Sequence, residues 1–146
     1  MTTIDPKIIA FIKEHHVLTL ATCVDNEPYC ANMYYAYVES ENYFIFTSER
    51  KTRHINDVLK NELVAGSIVL ETETIGKIQG LQLQGVMREL NGKTKIKAAA
   101  AYLTRFPYAV LKGTPLWAIE MTFAKLTDNR LGFGKKLIWT KDSEVL

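Results

Sequence analysis

Disulfides, metals and membranes are poorly provided for in this 146-residue sequence. It contains two cysteines, Cys23 and Cys30, and three histidines, His15, His16 and His54. Two thiols are too few for a disulfide-built scaffold. None of these residues forms an HExxH or CxxC spacing, so no metal ligand set is expected. There is no GxSxG elbow, and the carboxylates are scattered without an obvious acid–base pair, which leaves hydrolytic chemistry without candidates. No apolar run reaches the ~18 residues that span a bilayer. Residues 1–16 carry acids and lack the basic start and apolar centre of a secretion signal. The expectation is a cytoplasmic protein with no membrane partner.

Charge of one sign is also missing. Eighteen Lys and Arg face sixteen Asp and Glu, a formal net charge of +2. Acids such as Glu39, Glu41, Glu62, Glu71 and Glu73 interrupt the bases, whereas nucleic-acid binding rests on a concentrated basic surface. No nucleic-acid partner is expected. The remaining composition, 47% hydrophobic with eight glycines and four prolines, is that of an ordinary globular domain spanning residues 1–146.

Asp5 and Pro6 suit the cap and first turn of a helix, and Ile8, Ile9, Phe11 and Ile12 give it an apolar stripe. Three β-branched and aromatic segments follow at 16–24, 29–38 and 43–47, joined by short turns at 25–28 and 39–42. A helix at 51–60 and strands at 63–70 and 78–90 come next, with Gly80 and Gly85 marking bulges or close backbone approach. A third helix at 93–106 is expected to turn Ile96, Ala99, Ala100 and Leu103 inward. Strands at 116–126 and 137–141 close the chain. Seven strands and three helices, with mostly short connections, imply an α+β fold built on an antiparallel sheet curled into a barrel.

If residues 25–28 all lie in the first turn, Cys23 faces Cys30. The two are then either a redox-sensitive pair or two small strand side chains. The aromatic strand residues exceed what the inside of one small barrel needs, which points to a homodimer.

The chemistry-bearing segment is Thr47-Ser48-Glu49-Arg50-Lys51-Thr52-Arg53-His54, between a strand and a helix. Three cations crowd a helix start where the macrodipole is already positive, a conflict relieved by a bound anion. Backbone amides, the hydroxyls of Thr47, Ser48 and Thr52, and the charges of Arg50 and Lys51 can converge on a phosphate. The plainer reading is a solvated helix start. Gly132-Phe133-Gly134-Lys135-Lys136 lacks the Walker A spacing and reads as a flexible basic turn or as a ligand contact.

The order of these elements resembles the FMN-binding split barrel, the superfamily of pyridoxamine 5′-phosphate oxidase, over nearly the whole chain. The runs 49–54 and Thr127–Trp139 (TDNRLGFGKKLIW) resemble an uncharacterised bacterial subfamily within it. The resemblance implies an antiparallel six- to seven-stranded split β-barrel with flanking helices. It implies an FMN cofactor, with haem bound by some relatives, and homodimers whose flavin sites lie at the interface. Carried over by position, Thr47, Arg50, Lys51 and Thr52 would hold the FMN phosphate. Asn32, Met33 and Tyr34 would line the flavin ring, Gln82 would contact it, and Trp117 of the partner chain would close the site. The implied activity is flavin-dependent oxidoreduction of a small-molecule substrate, or non-enzymatic carriage or sensing of flavin or haem. No catalytic side chain is implied. Ala31 and Ala36 replace the oxidase's basic residues on the second strand, and its C-terminal Arg-x-His has no counterpart. Pyridoxamine phosphate oxidation itself is therefore not expected.

Overall fold

The computed structural model describes residues 3–109 and 113–142. Helix α1 (Pro6–Glu14) is capped by the Asp5 carboxylate, which accepts from the Lys7 amide at 2.8 Å. Ile8, Phe11 and Ile12 are its buried stripe. Strands β1 (Val17–Val24) and β2 (Glu27–Tyr34) form a hairpin in which Val24 pairs with Glu27. Asp25 and Asn26, both with positive φ (51° and 64°), are its two turn residues, the geometry that matches strand twist. The turn is thus two residues shorter than the sequence suggests. Cys23 now pairs with Pro28, and Cys30 with Ala21. The two thiols form a diagonal pair, a relationship that separates Cα atoms by about 7–8 Å, beyond the usual disulfide span. Both cysteines are free.

The segment read as one strand at 29–38 is two. Tyr35 interrupts it: its amide donates to the His16 carbonyl at 3.0 Å and its hydroxyl to the Ile12 carbonyl at 2.6 Å. Beyond it, β3 (Ala36–Val38) leaves β1 and pairs with β4 (Tyr43–Thr47). After α2 (Arg53–Lys60) come β5 (Leu63–Leu70) and β6 (Gln79–Glu89), then α3 (Gly92–Arg105), β7 (Leu116–Asp128) and β8 (Lys136–Thr140). The sheet runs β2-β1-β5-β6-β7-β4-β3, all antiparallel, with β8 also on β7. Its two ends, β2 and β3, are joined through Tyr35, so the sheet is curled on itself. One edge of β7 is divided, with residues 116–120 paired to β4 and 123–127 to β8. This is the antiparallel split barrel of α+β type that the sequence implies, with eight strands rather than six or seven.

Alternation along β1, β6 and β7 sends Leu18, Leu20, Leu81, Leu83, Met87, Ile119 and Met121 into the barrel. Gly85 sits at a bulge where an added Cβ would lie 2.5 Å from the Glu120 carbonyl oxygen, whereas Gly80 has only ordinary neighbours. The last carbonyls of α1 are held from outside the helix: Arg105 donates to the Lys13 carbonyl at 3.0 Å and also to that of His15. Ala98 and Tyr102 face inward, while Ile96, Ala100 and Leu103, expected inside, are exposed. No helix among the described residues is long and apolar enough to cross a membrane.

Candidate functional site

Strand β4 ends at Thr47, and the chain turns through Ser48–Lys51 into α2. Local geometry fixes this turn from three sides. The Ser48 amide donates to the Pro115 carbonyl at 3.4 Å, and the Ser48 carbonyl accepts from the Trp117 indole at 3.0 Å. The Asn56 amide group reaches back to the carbonyls of Thr52 and Arg50 at 2.9 and 3.4 Å. Thr52 is the N-cap of α2, yet its hydroxyl does not cap the helix; it donates to the Glu49 carbonyl at 2.9 Å. The first-turn amides of α2 are therefore left without a side-chain acceptor, the arrangement that receives anions.

Three polar groups converge beside this helix start. Ser48 Oγ lies 2.6 Å from His54 Nε2, and Thr52 Oγ1 lies 3.4 Å from both. Burial holds the His54 imidazole below its usual range, partly offset by the Asp57 carboxylate one turn on. Asp57 in turn accepts from Thr22 at 2.8 Å and meets Arg53 at 3.7 Å, while Arg53 stacks over the Tyr29 ring.

The cations of the segment are engaged with carboxylates. Arg50 makes a two-pronged pair with Glu89 at the end of β6. Lys51 lies 3.2 Å from Glu49 and is largely exposed. Sequence reasoning missed Glu89, because only the β6–β7–β4 register brings it beside the loop: Glu89 pairs with Trp117, and Trp117 with Phe46.

The other expected site residues are distributed more widely. On β2, Met33 packs against the core, while Asn32 and Tyr34 point to the outer face; Asn32 accepts from Thr19 at 2.8 Å and Tyr34 meets the Phe106 ring edge-on at 5.7 Å. Gln82 is exposed on that same outer face. It pairs with Lys125, nine residues along β7 from the Leu116 that pairs with Thr47, a path of roughly 30 Å along the strand. Within one chain, Gln82 and the Thr47–His54 loop cannot share one small ligand. Trp117 is 1% exposed and packs in the core of its own chain under the Ser48 carbonyl, rather than on an outer surface facing a partner.

The Thr127–Trp139 run is a braced turn. Asp128, nearly buried, accepts from the Arg130 backbone and guanidinium, which hold its carboxyl below the usual carboxylate range. Asn129 donates to the Ile75 carbonyl at 2.8 Å and accepts from the Gly134 amide at 3.0 Å. Phe133 is left 86% exposed at the tip. A cavity of about 480 Å³ lies elsewhere, between Ile4, Tyr37, Tyr43 and Trp139, and includes none of the expected site residues.

Comparison with known proteins agrees with this architecture. A UPF0306 protein of Photorhabdus laumondii is 37% identical over 131 residues, covering 90% of this chain and 92% of its own. Among solved structures, a FAD-binding protein of Mesorhizobium loti superposes with a TM-score of 0.70 at 17% identity, covering 86% of this chain and 95% of that one. A haem-binding protein of Mycobacterium smegmatis gives 0.72 at 16% identity, covering 96% of this chain; the chain spans 60% of that protein's length. The family model described as pyridoxamine 5′-phosphate oxidase matches residues 4–125. On that match and the split barrel itself, the chain belongs to the pyridoxamine 5′-phosphate oxidase family.

Proposed function

We propose that this chain is an FMN-binding domain that works as a homodimer, and that it is a flavin-dependent oxidoreductase acting on a small molecule. One observation carries the reading: the junction between β4 and α2 offers uncapped helix amides, the hydroxyls of Thr47, Ser48 and Thr52, an imidazole and the cations Arg50 and Lys51 within residues 47–54. Those groups fit a phosphate monoester. Thr47, Ser48, Arg50, Lys51 and Thr52 would hold the FMN phosphate, and the cofactor would supply hydride transfer.

A second chain accounts for the distances. Gln82 is too far along β7 to serve the loop of its own chain, so it would serve the partner's flavin. The outer face of the sheet also exposes Tyr34 (61%), Leu63 (63%), Val69 (67%) and Ile138 (63%), apolar surface that a homodimer would cover. Trp117 would act from below, by fixing Ser48, and not as a lid on a neighbouring site. A non-enzymatic carrier or sensor of flavin or haem is the second reading, favoured by the want of any recognisable substrate-binding motif in the sequence. Titration with FMN, followed by addition of NADH or NADPH, separates the readings. An oxidoreductase binds FMN and bleaches its visible bands, a carrier binds and stays yellow, and a protein that ignores FMN overturns the cofactor assignment.

A further inference from the structure

We propose that His54 is the proton-linked member of the phosphate cradle: its imidazole holds the Ser48 hydroxyl, and a phosphate monoester dianion entering the cradle brings one proton onto it. The inference rests on the phosphate-binding reading and goes beyond it by naming the residue that senses the ligand's charge.

The geometry is specific to this histidine. His54 Nε2 lies 2.6 Å from Ser48 Oγ and 3.4 Å from Thr52 Oγ1, so it touches two of the three hydroxyls that would turn to a phosphate. It occupies the first turn of α2, where no side chain caps the amides. Two opposed influences act on its charge. Asp57 on the same helix favours the imidazolium, while partial burial disfavours it more strongly. From the loop come Glu49, Arg50 and Lys51, of which Arg50 is paired with Glu89 of β6 and Lys51 with Glu49. From β2, Glu27 lies 3.4 Å from Arg53, which also meets Asp57. β1 presents Thr22, bonded to Asp57, and β7 presents the Trp117 indole, bonded to the Ser48 carbonyl. A dianion in hydrogen-bond reach of Nε2 opposes the effect of burial and draws the imidazole to its charged form. A proton is taken up from solvent, no bond in the ligand changes, and the imidazolium then donates where the neutral ring held a hydroxyl.

His54 gains affinity for its proton in the complex, so phosphate binding is tightest where the imidazole is charged and weakens as pH rises. The weakening is at most about tenfold per pH unit between the pKa values of the free and bound states.

Calorimetric titration of the wild-type protein with FMN at pH 7.5, in two buffers of different protonation enthalpy, measures the proton directly. A phosphate monoester is then already mostly dianionic, its second pKa being about 6. Net proton uptake is expected for the wild type and none for His54→Gln, which retains an acceptor for Ser48 but cannot titrate. FMN binding with equal proton uptake by both proteins would overturn the inference while leaving the cofactor assignment standing. The imidazole NMR signals of His54, titrated with pH with and without inorganic phosphate, give the second reading. Phosphate is expected to raise its pKa. A titration curve unmoved by phosphate would overturn the inference, whereas a protein that fails to bind FMN but shows the raised pKa would overturn only the cofactor assignment.

Discussion

The indole N–H of Trp117 donates to the Ser48 carbonyl at 3.0 Å, tying the first residue of the β4–α2 loop to the barrel core. Trp117 itself is almost wholly buried and sits opposite Phe46 in the β4–β7 ladder. The loop that gathers the polar groups is thus clamped by the sheet beneath it. Trp117→Phe keeps most of the packing and removes the donor from a half-buried carbonyl. It is expected to lower unfolding stability by about 1–3 kcal/mol and to weaken FMN binding more than riboflavin binding. Urea unfolding and paired flavin titrations check both effects; equal loss for the two flavins would mean that the clamp does not reach the phosphate site.

Glu89 stands where it opposes an incoming phosphate. Its two-pronged pairing with Arg50 occupies the guanidinium, and its charge would repel a dianion placed there. Glu89→Gln is expected to tighten FMN binding several-fold, with the gain shrinking as salt is raised. An unchanged or weaker FMN affinity would show that Arg50 is not the phosphate ligand, or that Glu89 positions it.

Gly85 is required by contact rather than by backbone angle. A methyl group there would press on the Glu120 carbonyl at 2.5 Å and on Ile119 Cγ2 at 2.6 Å. Gly85→Ala is expected to cost about 1–3 kcal/mol through overpacking, whereas Gly80→Ala, with no neighbour nearer than 3.8 Å, should be close to neutral. Thermal unfolding of the two variants decides between them.

Asp128 ties stability to pH in the acid range. Its folded pKa is depressed, first by the hydrogen bond from Arg130. A depressed carboxylate pKa contributes stability above the unfolded value, near 3.9, and that stability is lost as pH falls through the folded one. Asp128→Asn should therefore lower Tm at neutral pH and flatten its fall below about pH 4. An unaltered acid profile would mean that the Asp128–Arg130 pair is energetically silent.

What was legible in the sequence was local. The Ser/Thr and Arg/Lys residues of 47–53 sit at a strand-to-helix boundary that composition alone marks, and the period-two strands around it fix the antiparallel character of the sheet. What was not legible depended on register. The two-residue turn at Asp25 and Asn26 slides Cys23 away from Cys30, and the break at Tyr35 depends on Ile12 of α1 and on His16 just before β1, partners that no local pattern names. Glu89 reaches Arg50, and Trp117 turns inward, only because β6, β7 and β4 are neighbours in space while far apart in the chain. The outward turn of Ile96, Ala100 and Leu103 was not legible either, because the buried face of α3 is the one that carries Ala98 and Tyr102.

If Arg50 and Lys51 anchor a flavin phosphate, FMN and riboflavin must respond differently to their removal. Equilibrium titration of both flavins into the wild type and into Arg50→Ala/Lys51→Ala, with circular dichroism to verify the fold, isolates the phosphate contribution. Charge-assisted hydrogen bonds contribute about 1.5–3 kcal/mol each, so the double variant should lose FMN affinity by at least about a hundredfold while riboflavin affinity stays near its wild-type value. Equal FMN affinity in the folded wild-type and variant proteins would contradict the assignment of the β4–α2 junction as the cofactor's anchor.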